Sequence, residues 1–146
     1  MVSDNSTLDR RKQIARRIPE EIASEGAIDI VDELFAEGVV AQISPLGEAH
    51  GRDEFRKLPQ RMRGAFPDLE ATIDEIVAEG DHVAMRVTLV GTHQGQFMGV
   101  EPTGESFKIE HTIFVRFDGD EIVKLRGQLD AFALQRQLGV LDHPTG

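Results

Sequence analysis

The hydrophobic pattern of this chain changes period once, at Phe66-Pro67-Asp68, and that change limits the folds open to it. Before this point apolar residues recur at helical spacing. After it they alternate with polar ones, as the two faces of a half-buried strand do. Turn signals follow at regular intervals: Glu79-Gly80-Asp81, a long loop containing Gly and Pro, and Asp118-Gly119-Asp120. They predict four strands, at about 69–78, 82–93, 106–118 and 121–129, successive and therefore antiparallel.

In the first half, Ile14, Ile18 and Ile22 stand four residues apart behind a cap at Ser6 or Thr7, which predicts a helix with one buried stripe. Pro19 removes a helical hydrogen bond and predicts a kink or break between Arg17 and Glu20. Gly26 stops this segment. Ile28, Val31, Leu34 and Phe35 mark a short second helix ending before Gly38, and Val39 to Ile43 a brief strand. A third helix over 53–63 places Phe55, Leu58 and Met62 on one side, with Pro59 inside it. A last amphipathic segment, 131–138, carries Leu134 and Leu138 and is closed by Gly139. Helices first and a meander second predict an α+β domain in which helices cover one face of a curved sheet. The length of 146 residues fits a single domain, with a core at about 8–140 and flexible ends at 1–7 and 141–146.

Composition removes whole classes of chemistry. The chain has no cysteine, which excludes disulfides, thiolate catalysis and thiolate metal sites. A formal charge of −10 opposes phosphate backbones and anionic membrane surfaces, so neither a nucleic acid nor a membrane is an expected partner. There is no apolar run of membrane-spanning length and no apolar N-terminal stretch, and the expected location is cytoplasmic. His-Glu-x-x-His, calcium-loop, Gly-rich phosphate-loop and Gly-x-Ser-x-Gly patterns are all missing, so neither a metal nor a cofactor is expected.

The segment from Gly91 to Gly104, GTHQGQFMGVEPTG, resembles a loop of the SnoaL-like polyketide cyclases (ester cyclases), members of the nuclear-transport-factor-2-like superfamily. Further matching pieces follow in order: Ala65 to Leu69, Glu79 to Ala84 with Arg86, Val115 to Gly119 with Ile122-Val123, and Gln137 to Val140. The resemblance implies a cone, in which a bent antiparallel sheet wraps round the N-terminal helices and leaves a cavity open at one end. It also implies a general acid/base aspartate at the end of the last strand, matched here by Asp130. Where relatives commonly carry tryptophan, histidine and proline, this chain has Arg126, Gln42 and Glu101.

Proton abstraction beside a carbonyl needs a carboxylate in an apolar cavity and donors aimed at the developing enolate oxygen. Asp130 is the candidate base. It also precedes a helix, and reads equally as its N-cap. His111 shares the apolar side of its strand with Ile109 and Ile113, as carbonyl donor or as a hydrogen-bonded core histidine. Arg126, Gln128, Gln42, His93 and Arg86 are candidate substrate contacts; His93 reads equally as a turn residue and Arg86 as half of a structural ion pair. His50, His82 and His143 are assigned no chemistry.

The leading expectation is a cofactor-free cyclase or isomerase-type enzyme acting on a hydrophobic carbonyl compound. A noncatalytic binder of a small organic ligand, with a ligand carboxylate on Arg126, is the alternative. Arg116-x-Asp118 carries a third, an epoxide hydrolase of the limonene type. The resemblance further implies a homodimer through the outer sheet face, where Phe114 would be exposed.

Overall fold

Two glycines set the shape of the second half. Gly80 and Gly119 adopt φ of 58° and 63°, left-handed backbone that suits tight hairpin turns, and they reverse the chain between long strands. The computed structural model describes residues 5–140. The strands are β1 (Phe35–Ser44), β2 (Gly47–His50), β3 (Glu70–Glu79), β4 (His82–Thr92), β5 (Ser106–Asp118) and β6 (Glu121–Leu129). The helices are α1 (Asn5–Arg17), α2 (Val31–Leu34), α3 (Arg52–Ala65) and α4 (Ala131–Leu138).

The four predicted strands are present with ends within a residue of those expected. The first half differs more. Residues 5–7 already lie in α1, so Ser6 and Thr7 are inside the helix rather than capping it; the rest of the expected flexible ends, 1–4 and 141–146 with His143, falls outside the described residues. The α-helical pattern ends at Arg17, within the stretch where Pro19 predicts a kink or break, and the chain continues as a π-helical turn, Ile18–Ala23, that buries Ile18, Pro19 and Ile22. Pro59 leaves α3 continuous. Phe35 opens β1 rather than ending a helix, and β2 is an addition to the expected strands.

The sheet is six-stranded, in the order β2-β1-β6-β5-β4-β3. It is mixed: β1 runs antiparallel to β2 but parallel to β6, which corrects the expectation of a purely antiparallel sheet. Alternation turns Val83, Met85, Val87 and Leu89 of β4, and Phe107, Ile109, Ile113, Val115 and Phe117 of β5, onto the inner face. α3 covers that face with Phe55, Leu58, Met62 and Ala65. Each of the valine, leucine, isoleucine, methionine and phenylalanine side chains, fully buried, contributes about 1.5–3 kcal/mol.

Polar side chains close the ends of this core. The Arg63 guanidinium donates to the carbonyls of Ala23, Ser24, Leu69 and Pro67, tying the π-helical turn to α3 and β3. Gln137 of α4 accepts from Lys108 N–H at 2.7 Å and donates to Lys108 C=O at 2.9 Å, extending the β5 ladder beyond the end of β6. Asp68 accepts from both the backbone N–H and the hydroxyl of Thr92, at 2.8 Å each. These bonds hold the Asp68 carboxyl below its ordinary pKa of 3.8. A carboxylate with a depressed folded pKa stabilises above its unfolded pKa, and that contribution is lost as pH falls through the folded value. Wild type is therefore expected to lose stability more steeply than Asp68→Asn below about pH 4, a difference read from urea unfolding at stepped pH.

Candidate functional site

Between the π-helical turn, α3 and the inner face of the sheet lies a cavity of about 70 Å³. Pro19 and Ile22 line it from the turn, Phe55 and Met62 from α3, and Leu125 and Leu129 from β6. His111 is the one lining residue with a side-chain nitrogen or oxygen. An apolar cavity of about 150 Å³ holds benzene. This one, at about 70 Å³, therefore takes the end of a larger ligand unless its helical wall moves.

His111 is held by the sheet. It pairs across with Val87 of β4 and Leu129 of β6, and its ring crosses towards Gly127. A Cβ on Gly127 would stand 2.8 Å from His111 Nε2 and 3.3 Å from Ile43, so any side chain there would require the imidazole to shift. Nε2 is buried without a hydrogen-bond partner. Burial pushes the His111 pKa from 6.5 down to about 4, so the ring is neutral near pH 7. A glycine inside an otherwise regular strand was the sequence signal for this close approach.

The other predicted residues lie elsewhere. On β6, Ile122, Leu125 and Leu129 are buried while Lys124, Arg126 and Gln128 are exposed, as is Asp130 just after it. A register shift between Arg116 and Phe117, opposite Ile122, lets Ile122 face inward although Lys124 faces out. Asp130 does not line the apolar cavity. Its carboxylate caps α4, accepting from Ala133 N–H at 3.0 Å, and borders an outer concavity with Phe132. This corrects the placement of Asp130 as an inward-facing base, and the cap reading accounts for its geometry. Arg126, Gln128 and Gln42 do come together, but on that outer face. Arg86 is also outside, paired with Glu75 and Glu110.

His93 is fully buried and organises the loop after β4. Its Nδ1 accepts from Thr103 N–H at 3.2 Å and lies 3.1 Å from Thr103 Oγ1. It does not line the cavity. Asp118 and Arg116 are exposed at the turn end of β5, away from the cavity, which removes the geometric basis for an epoxide-hydrolase set there. Among the described residues no group of three or more His, Asp or Glu could hold a metal ion, and no helix is long and apolar enough to cross a membrane.

The family model SnoaL-like polyketide cyclase matches residues 13–138. The chain belongs to that family. No curated protein matches it. Among solved structures, IdmH of Streptomyces antibioticus, a candidate polyketide cyclase, is 30% identical with a TM-score of 0.77, over 89% of this chain and 99% of that one. AclR of Streptomyces galilaeus, a candidate hydroxylase, is 27% identical at a TM-score of 0.80, over 92% and 99%. A candidate SnoaL-like polyketide cyclase from Jannaschia sp. CCS1 reaches a TM-score of 0.87 at 19% identity, over 96% and 99%, and shows the fold. That fold is the ketosteroid isomerase-like, nuclear-transport-factor-2-like one.

Proposed function

We propose that this SnoaL-like protein is a cyclase or isomerase-type enzyme that takes the apolar end of a hydrophobic carbonyl compound into the inner cavity, with His111 as its acid/base group. The observation that carries this reading is His111, a half-buried, neutral imidazole that is the one lining residue with a side-chain nitrogen and whose buried Nε2 has no hydrogen-bond partner. In the tautomer protonated on Nδ1, Nε2 accepts a proton from the carbon beside the carbonyl and the C–H electron pair passes into the enolate. The imidazolium then donates from Nε2: in an isomerisation it returns the proton to carbon, and in a cyclisation the enolate carbon attacks a second carbonyl of the same substrate, whose C=O π bond breaks and whose oxygen takes the proton from Nε2. A pKa of about 4 makes His111 a weak base, so the reading selects carbon acids flanked by two carbonyls over simple ketones.

A noncatalytic ligand carrier is the second reading. It is favoured by the lack, among the lining residues, of another nitrogen- or oxygen-bearing side chain to share the enolate charge.

The experiment is a thermal-shift screen of hydrophobic mono- and dicarbonyl compounds, followed by turnover assays on the binders with wild type, Asp130→Asn and His111→Leu. Asparagine caps a helix about as well as aspartate, so Asp130→Asn is expected to keep both fold and turnover, while His111→Leu loses turnover. Loss in Asp130→Asn alone would return the base to the strand end. Binding without turnover in wild type would favour the carrier. Asp130→Ala, which removes the cap, is expected to cost about 1 kcal/mol in urea unfolding.

A further inference from the structure

The backbone on both sides of the inner cavity is tied down. Its sheet wall sits in the continuous ladders of β4, β5 and β6. On the helical side, the Arg63 guanidinium of α3 donates to the carbonyls of Ala23 and Ser24, at 2.8 and 3.0 Å, and Ser24 Oγ accepts from Ala71 N–H of β3 at 2.9 Å. The π-helical turn is thereby fastened to both α3 and the sheet. Room for a ligand has to come from side chains.

Most of the lining has little to give. Ile18 and Ile22 on the turn, and Ile43, Val87 and Ile113 on the sheet, are β-branched and stiff at χ1. The leucines hold well-defined rotamers of their own. The Phe55 ring lies 4.4 Å from that of Phe35. Met62 differs from all of these: among the described residues it is the one long unbranched side chain in the lining, buried on the sheet-facing side of α3. Three rotatable bonds and a polarisable thioether let a methionine refill an irregular gap.

The size of the cavity decides what can use that freedom. At about 70 Å³ it has about half the volume of an apolar cavity that holds benzene. A six-membered ring needs Met62 out of the way altogether, whereas the end of an open alkyl chain, one methylene wide, needs it only to change rotamer. We infer, given the reading of the inner cavity as the substrate site, that Met62 is its specificity-determining residue and that the apolar end of the substrate is an unbranched alkyl chain rather than a ring. The chain end packs along the thioether, and the carbonyl stays at His111.

The probes are hexyl methyl ketone, cyclohexyl methyl ketone and acetophenone, which present the same carbonyl on an open chain, a saturated ring and an aromatic ring. His111 is too weak a base to turn over such simple ketones, so they report binding alone. In the full chain labelled at its methionine methyls, hexyl methyl ketone is expected to shift the Met62 signal saturably. Met85, buried on β4 but absent from the lining, and the exposed Met98 should not move. The open chain should bind about tenfold or more tightly than either ring, within the 10–200-fold that an apolar pocket gains from a single methylene. Met62→Ala should admit the rings and remove most of that preference. Met62→Leu conserves volume and keeps the fold, and should weaken the open-chain ketone to the level of the rings, because the stiffer side chain does not move aside. Equal affinity of wild type for the three ketones, a Met62 signal that stays in place while the ketone binds, or an unchanged Kd in Met62→Leu would each overturn the inference and leave the enzyme reading standing. An open-chain preference that Met62→Ala removes, in a protein that turns over no dicarbonyl compound, would uphold the inference and remove the enzyme reading. No binding of any of the three would overturn both.

Discussion

Replacing His111 with leucine is expected to lower turnover of an identified substrate by about 10²–10⁴-fold, the usual share of a positioned acid/base group, and to raise stability at the same time. The two effects have one cause. His111 Nε2 is buried without a partner, and such a group costs about 1–3 kcal/mol that an apolar side chain of similar size does not. The sign with pH follows from the depressed pKa. The unfolded histidine binds its proton near pH 6.5 and the folded one only near 4, so wild-type stability is level above about 6.5 and falls as pH drops towards 4. The full fall is about 3 kcal/mol. His111→Leu should lack that segment of the curve and keep the loss below about pH 4 that Asp68 causes. A variant less stable than wild type at pH 5, with turnover intact, would remove His111 from the mechanism.

Phe66→Ala carries the largest expected loss of stability, about 3–5 kcal/mol, typical of emptying a buried phenylalanine site. Phe66 is fully buried where α3, β4, β5 and the loop after β4 converge. Its ring centroid lies 4.7 Å from Phe107, 5.1 Å from Phe97 and 5.8 Å from His93. The loop closes over it through Gln94 and Gly95, whose N–H groups donate to Ala65 C=O at 3.0 Å. A Cβ on Gly95 would stand 2.1 Å from Gly64 O, so the loop backbone already lies against the end of α3 and cannot settle further into the vacated space. Phe66 does not line the inner cavity, so activity per folded molecule should persist. A urea-derived loss under about 1 kcal/mol would show that the site collapses, against the spread seen for such truncations.

The parts of the fold legible in advance are those fixed by local rules. Gly80 and Gly119 marked the hairpins, alternation marked β3 to β6, and Asp130 and Gly139 bracketed α4. β1 was read short because Glu37 and Gly38, both exposed, interrupt the alternation, and the ladder to β6 is itself irregular between Phe35 and Val40. Its parallel pairing with β6 depends on contacts distant in sequence, which no local pattern encodes. The same limit applied to the site. The phase of His111 was visible on β5, but the inward and outward sides of β6 depend on a register shift against Phe117 that shows only in the paired strands. The candidates were consequently divided, with His111 inside and Arg126, Gln128, Asp130, Gln42 and Arg86 outside.

The neighbouring of β1 and β6 also governs the order in which the molecule can assemble. β1 and β2 leave the ribosome early and can pair as a hairpin, yet the strand that receives the other edge of β1 follows only about eighty residues later, when Leu125 meets Ala41. The meander from β3 to β6 has short connections and can form by itself, in keeping with the faster closure of local contacts. Joining the two pieces is then the slow, long-range step. A nascent chain halted before Leu129 holds a hairpin and an unfinished meander, each with an unsatisfied strand edge, and is exposed to pairing with other chains until the last strand is made.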